Sequence, residues 1–191
     1  MNTVLTQELA RFNNLTKVIK NSLNDLKKAI KGEVLLSADL EAALNSLKDG
    51  TVPEMWISKS YPSLKKLGGY VADLQERLAW FKEWVEEGIP PHLWITRFFF
   101  TQGFLTGQKQ NFARKFNIAI DLLDYDFEII EDESRINTAP DDGSYVVGMF
   151  IEGCKWDYEK VILDESDPKV LYVKCPPMWF RPSKPEDFIT G

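Results

Sequence analysis

The stretch SYPSLKKLGGYVADLQERLAWFKEWVEEGIPPHLWITRFFFTQGFLTGQKQNFAR, residues 60–114, decides how the chain is read. It holds Tyr61, Tyr70, Trp80, Phe81, Trp84, Trp94, Phe98, Phe99, Phe100, Phe104 and Phe112. It contains no pairing of His, Cys, Ser and carboxylate that would make a self-contained active site. Aromatic side chains bury large areas, so such a segment is built to pack, in its own core or against a neighbour. From about Ser63 to Glu87 the residues Leu64, Leu67, Val71, Leu74, Leu78, Phe81 and Val85 recur at helical spacing. Gly88, Pro90 and Pro91 end that helix, and a further helical region is predicted from Trp94 to Lys115, broken near Phe98 to Thr101.

On the N-terminal side, Leu5, Leu9, Phe12, Leu15, Ile19, Leu23, Leu26 and Ile30 form one stripe of a long amphipathic helix. Gly32 sits where a left-handed residue would close it, and Lys27, Lys28 and Lys31 suit the negative end of its dipole. Ser37 is a predicted N-cap for a second helix carrying Leu40, Ala43, Leu44 and Leu47 and ending at Gly50. Pro53 and Pro62 bracket an irregular stretch around Trp56.

After Asn117 the periodicity changes. Asp126-Phe-Glu-Ile-Ile130, Tyr145 to Ile151, Lys160 to Leu163 and Val170 to Val173 are short β-rich runs, with turn signals at Asp141-Asp142-Gly143 and Ser166-Asp167-Pro168. The predicted fold class is α+β: N-terminal helices, the first of them long and amphipathic, followed by a small antiparallel β-barrel or sheet. The expected division is a helical subdomain at 1–117 and a β-rich subdomain at 118–191.

The 191 residues suffice for a real core, and 44% apolar with 27% charged residues is a globular composition. No apolar run reaches the ~18 residues of a membrane span, and no secretory signal opens the sequence. Cys154 and Cys175 make no disulfide framework, so a reducing compartment is expected. Asn14 heads a glycosylation sequon, but within a helical pattern. Residues 1–120 hold 16 basic and 12 acidic side chains, a balance of +4, and residues 121–191 hold 7 and 17, a balance of −10. Interleaved charges in the first part and an acidic second part argue against nucleic acid as a partner.

The motifs that suggest chemistry fail on spacing. In Gly103-Phe-Leu-Thr-Gly107-Gln-Lys109-Gln110, Gln108 separates glycine from lysine and Gln110 stands where a phosphate loop needs Ser or Thr. Asp124-Tyr-Asp126-Phe-Glu128 begins like a calcium loop but has Ile129 at the glycine position and Arg135 at the glutamate position. His92 is the only histidine, too few for a zinc site with two distant cysteines or for a cysteine nucleophile with its base. No catalytic residue, metal ligand or cofactor site is therefore expected. Six tryptophans, at 56, 80, 84, 94, 156 and 179, are more than a core of this size needs, which leaves one or two for an interface.

Several of these segments resemble the C-terminal region of axonemal dynein heavy chains. The matching residues are Val52-Pro53-Glu-Met-Trp56, Ser60-Tyr-Pro-Ser-Leu-Lys-Lys-Leu-Gly-Gly-Tyr70, Asp73-Leu74, Arg77-Leu78, Phe98-Phe-Phe-Thr-Gln102, Phe104-Leu-Thr-Gly107 and Gln110-Asn-Phe-Ala-Arg-Lys115. In the β part they are Asp142 to Trp156, Pro168 to Tyr172 and Met178 to Pro182. The wording at Leu5-Thr-Gln-Glu-Leu9, Arg11-Phe-Asn13 and Asn117-Ile-Ala-Ile-Asp121 is most similar to single-headed inner-arm heavy chains. Lys66 and Ala119 stand where the family pattern has proline, and Arg97 where it has glycine. The sequence also stops before the family's last segments, so the expected barrel is incomplete, with an open edge or one paired in an oligomer.

The resemblance implies a region without chemistry of its own that lies across a ring of AAA+ modules and braces or regulates a microtubule motor. It implies AAA+ ring modules as intramolecular partners, the axonemal microtubule system as an indirect one, no membrane, and residence in the cytoskeleton of a cilium or flagellum. A ring-facing aromatic patch is expected among Trp56, Tyr61, Phe98, Phe99 and Phe100. The alternative reading is a free-standing interaction module using the amphipathic helix and aromatic surface. An enzyme built from scattered acids, such as Asp141, Asp142 and Glu152, would need them to converge in a pocket.

Overall fold

A computed structural model describes residues 2–188 and separates them into two compact units, one of residues 2–86 and one beginning at Glu87. The division falls well before residue 117, the expected subdomain boundary, because α5 (Thr101–Phe116) belongs with the strands.

The first unit is helical: α1 (Asn2–Ile30), α2 (Ala38–Lys48), α3 (Glu54–Ile57) and α4 (Leu67–Glu87, whose last residue opens the second unit). Gly32, at φ +76°, terminates α1 as expected, and Ser37 Oγ caps α2 by accepting from Leu40 N at 3.3 Å. The buried stripe of α1 is Val4, Glu8, Phe12, Leu15, Ser22 and Leu26, rotated from the predicted one, while Leu23 and Ile30 are exposed. Glu8 tolerates burial because Arg11 donates to its Oε1 from one turn away, at 3.1 Å. In α4 the inward side chains are Tyr70, Leu74, Trp80, Phe81 and Trp84 rather than Val71 and Val85. Phe81 meets Phe12 at 5.3 Å between ring centroids and Trp84 at 6.1 Å, so α1 and α4 share one aromatic core. Residues 63–66 lie outside the helix, which leaves Leu64, a predicted core residue, fully exposed.

The second unit carries α5 and eight short strands: β1 (His92–Trp94), β2 (Asp124–Ile129), β3 (Ser144–Val147), β4 (Phe150–Glu152), β5 (Cys154–Asp157), β6 (Ile162–Glu165), β7 (Tyr172–Lys174) and β8 (Met178–Ser183). Four form a sheet in the order β1-β3-β8-β2, while β4–β7 and β5–β6 are separate antiparallel pairs. The class is α+β as expected, but the described strands do not close into a barrel, and β1 pairs with β3 in parallel. The strand β1 replaces the first turn of the predicted helix at 94, where His92–Trp94 pairs with Tyr145–Val147. Pro182 is tolerated in β8 because pairing with β3 ends at Phe180, so its position has a neighbour only in β2. Ile130, Ile136, Tyr145 and Val147 form the core here, with Trp94 and Trp179 packed against it.

Two polar devices seat α5 and the β3 turn. Gln108, the residue that disqualifies the phosphate loop, is buried and donates from Nε2 to the Phe180 carbonyl at 3.2 Å. Tyr125 Oη donates to the Leu105 carbonyl at 2.6 Å and lies 3.0 Å from Gln108 Oε1, and burial raises its pKa well above the usual phenol value. At the Asp141-Asp142-Gly143 turn, Gly143 has φ +76°, and a Cβ there would sit 2.3 Å from the Phe180 carbonyl oxygen. Only glycine fits.

Candidate interaction surface

Trp56, Tyr61, Phe98, Phe99 and Phe100 divide between the two units and do not make one exposed patch. Trp56 sits on α3, a single turn that Pro53 starts, and is 3% exposed. Its indole Nε1 donates to Ser22 Oγ of α1 at 2.9 Å, so the one polar atom of this ring is satisfied inside the unit. Phe98 is buried as well and stacks on Phe104 of α5 at 4.9 Å. Phe99 is half-buried, and of the five only Phe100 is exposed, at 47%. The reading of these rings as a surface is thus corrected for Trp56, Tyr61 and Phe98. Aromatic density marked the core at those positions, and single-sequence periodicity does not separate a core ring from an interface ring in a loop.

Tyr61 is the centre of a buried polar group. Its ring stacks on Tyr70 at 5.8 Å, and the Arg77 guanidinium lies 3.8 Å from its centroid on α4. Asp73, one turn before Arg77, accepts from Arg77 Nε and from Lys65 Nζ, each at 2.7 Å. Burial pushes the Asp73 carboxyl up, but the hydrogen bonds from Lys65 and Arg77 outweigh it and hold the group below the ordinary aspartate value. Burial raises the Tyr61 phenol well above its ordinary value. Tyr70 closes the group through a 2.8 Å hydrogen bond between its hydroxyl and that of Ser60. These groups hold charge and orientation. They do not present a nucleophile with a base.

The scattered acids do not converge. Asp142 pairs with Lys115, whose Nζ also reaches the Asp141 carbonyl at 3.3 Å, whereas Glu152 lies on β4 in a different sheet. Among the described residues no group of three or more His, Cys, Asp and Glu side chains is placed to hold a metal ion. His92 Nδ1 lies 3.2 Å from the Ile136 carbonyl, and burial raises the Cys175 thiol pKa. Among the described residues no helix is long and apolar enough to cross a membrane.

Exposed apolar side chains lie elsewhere, among them Leu35, Leu64 and Ile57 in the helical unit, and Phe150, Leu163, Leu171 and Tyr172 in and beside the small strand pairs. Periodicity misses the second set because each strand is only three or four residues long.

Residues 1–189 match the family model for the C-terminal domain of the dynein heavy chain. The sequence is 52% identical over 99% of its length to Dynein axonemal heavy chain 3 of Mus musculus. It is 51% identical over 96% of its length to Dynein axonemal heavy chain 12 of Mus musculus, and 48% identical over 96% to Dynein axonemal heavy chain 1 of Homo sapiens. It spans only 5%, 6% and 4% of the length of these relatives. The buried aromatic block therefore sits in a domain of known lineage: the protein belongs to the family formed by the C-terminal domains of dynein heavy chains.

Proposed function

We propose that this protein is the non-catalytic C-terminal region of an axonemal dynein heavy chain, of the single-headed inner-arm kind, in the cytoskeleton of a cilium or flagellum. In that role it packs across the AAA+ ring of the parent polypeptide and braces or regulates a microtubule motor whose ATP chemistry lies elsewhere. The observation that carries the reading is identity of 48–52% over nearly the whole length to three axonemal heavy chains, with the family match running through the aromatic block from residue 1 to residue 189.

The architecture supports a bracing role in a specific way. The α1 helix is 29 residues long, which at ~1.5 Å per residue gives a rod of roughly 43 Å. A rod of that length, stiffened by the aromatic core against α4, transmits displacement better than a loop would. The acidic charge of residues 121–191 suits docking against basic surface.

Cross-linking of the parent heavy chain tests the placement. Lysine-reactive cross-linkers should join Lys17, Lys20, Lys27 or Lys28 of α1 to AAA+ modules within one polypeptide. If α1 cross-linked only to the stalk, the tail or other molecules, the ring-bracing reading would fail.

A further inference from the structure

A cleft of about 260 Å³ opens in the helical unit beside the start of α4, and nothing above assigns it a ligand. Its floor is the buried Tyr61 and Tyr70 pair, and its walls are Val52, Ile57 and Leu64. Leu64 is fully exposed, held at the rim by the extended segment after Pro62. Two lysines complete the mouth, and no acidic side chain lines the cleft. Lys65 shares the Asp73 carboxylate with Arg77, each at 2.7 Å, whereas Lys66 makes no ion pair among the described residues. The cleft is therefore a largely apolar recess with net positive charge at its edge.

The volume decides what size of ligand fits. Pockets for whole small molecules span roughly 300–1,000 Å³ and enclose most of the ligand. This one is smaller and open on one side, so it takes one large side chain of a polymer passing across its mouth rather than an enclosed molecule. We propose that the cleft docks a peptide segment with one large apolar side chain, aromatic or leucine-like, next to a carboxylate. The side chain enters between Ile57 and Leu64, and the carboxylate meets Lys66. Charge complementarity sets the sign of the partner: an acidic peptide is attracted here, and a basic one is repelled.

The test uses the 191-residue protein and three capped tripeptides, Glu-Phe-Glu, Gln-Phe-Gln and Glu-Ala-Glu, titrated by NMR to 10 mM. Saturable shifts at Ser63, Lys66 and Tyr70 are expected with Glu-Phe-Glu. Gln-Phe-Gln should bind about three- to fivefold more weakly for want of the charge, and Glu-Ala-Glu at least tenfold more weakly for want of the anchor. Lys66→Ala should weaken Glu-Phe-Glu about three- to fivefold and Lys66→Arg should restore it. Leu64→Asp should abolish binding. Both positions are exposed, so far-UV circular dichroism of each variant should match the parent. Three results would overturn the proposal: no saturable shift with Glu-Phe-Glu at 10 mM, equal binding of the Glu and Gln peptides, or binding of N-acetylphenylalanine as tight as that of the peptide. The last would assign the cleft to free carboxylates instead.

Discussion

In the helical unit Phe12, Tyr61, Tyr70, Phe81 and Trp84 interlock from α1, α4 and the connection between helices, and each is nearly water-free. In the unit that follows, Phe150, Leu163 and Tyr172 each leave more than half of their surface open on strands of three or four residues. Long helices bring a whole aromatic stripe to one seam. A two-stranded ribbon has one pair of faces and cannot cover both. The aromatic seam of the first unit is thus closed by its own side chains, whereas the ribbons of the second leave apolar surface open.

That contrast breaks most readily at the aromatic seam. Phe81→Ala removes a ring at the meeting point of α1 and α4 and should cost about 3–5 kcal/mol of unfolding free energy, measured by urea denaturation followed through tryptophan fluorescence. A loss below about 1 kcal/mol would mean that the seam is loosely packed and that the two units differ less than described.

In the second unit the comparable weak point is a backbone position. Gly143→Ala drives a methyl group against the Phe180 carbonyl and should destabilise the four-stranded sheet by about 3 kcal/mol, with loss of amide protection at β3 and β8. Protection in α1 and α4 should persist. Simultaneous loss in both units would show that they unfold as one.

Smaller changes sharpen the account of polar burial. Ser22→Ala leaves the Trp56 indole N–H without its acceptor and should cost about 1–2 kcal/mol. Asp73 gives a pH signature. Its folded pKa lies below the unfolded one, so its stabilisation is present above the unfolded value, about 3.9, and is lost as pH falls through the folded value. Asp73→Asn should lower stability at pH 7 and flatten the decline between about pH 5 and pH 2. An unchanged acid limb would remove Asp73 from the network. The smallest effect belongs to the open ribbons, where Leu163→Ser should shift stability by less than about 0.5 kcal/mol.

Much of this was legible from local chemistry. Gly32 ends α1, Ser37 caps α2, and the break around Phe98 to Thr101 separates β1 and its following turn from α5. What escaped depends on partners distant in the sequence. The parallel pairing of His92–Trp94 with Tyr145–Val147 joins segments that share no local signal. The burial of Ser22 on α1 is invisible because its partner, the Trp56 indole, lies 34 residues away. Trp56 reads as surface for the same reason: Ser22, which makes its burial affordable, lies on another segment.

The proposed role is to brace or regulate the motor of the parent polypeptide without chemistry of its own. The direct measurement compares the parent heavy chain with a version lacking these residues, scoring microtubule gliding velocity and microtubule-stimulated ATPase rate in parallel. The account predicts that nucleotide hydrolysis survives the deletion while velocity, or its coupling to hydrolysis, changes by more than about twofold. Unchanged velocity and unchanged ATPase rate would contradict it.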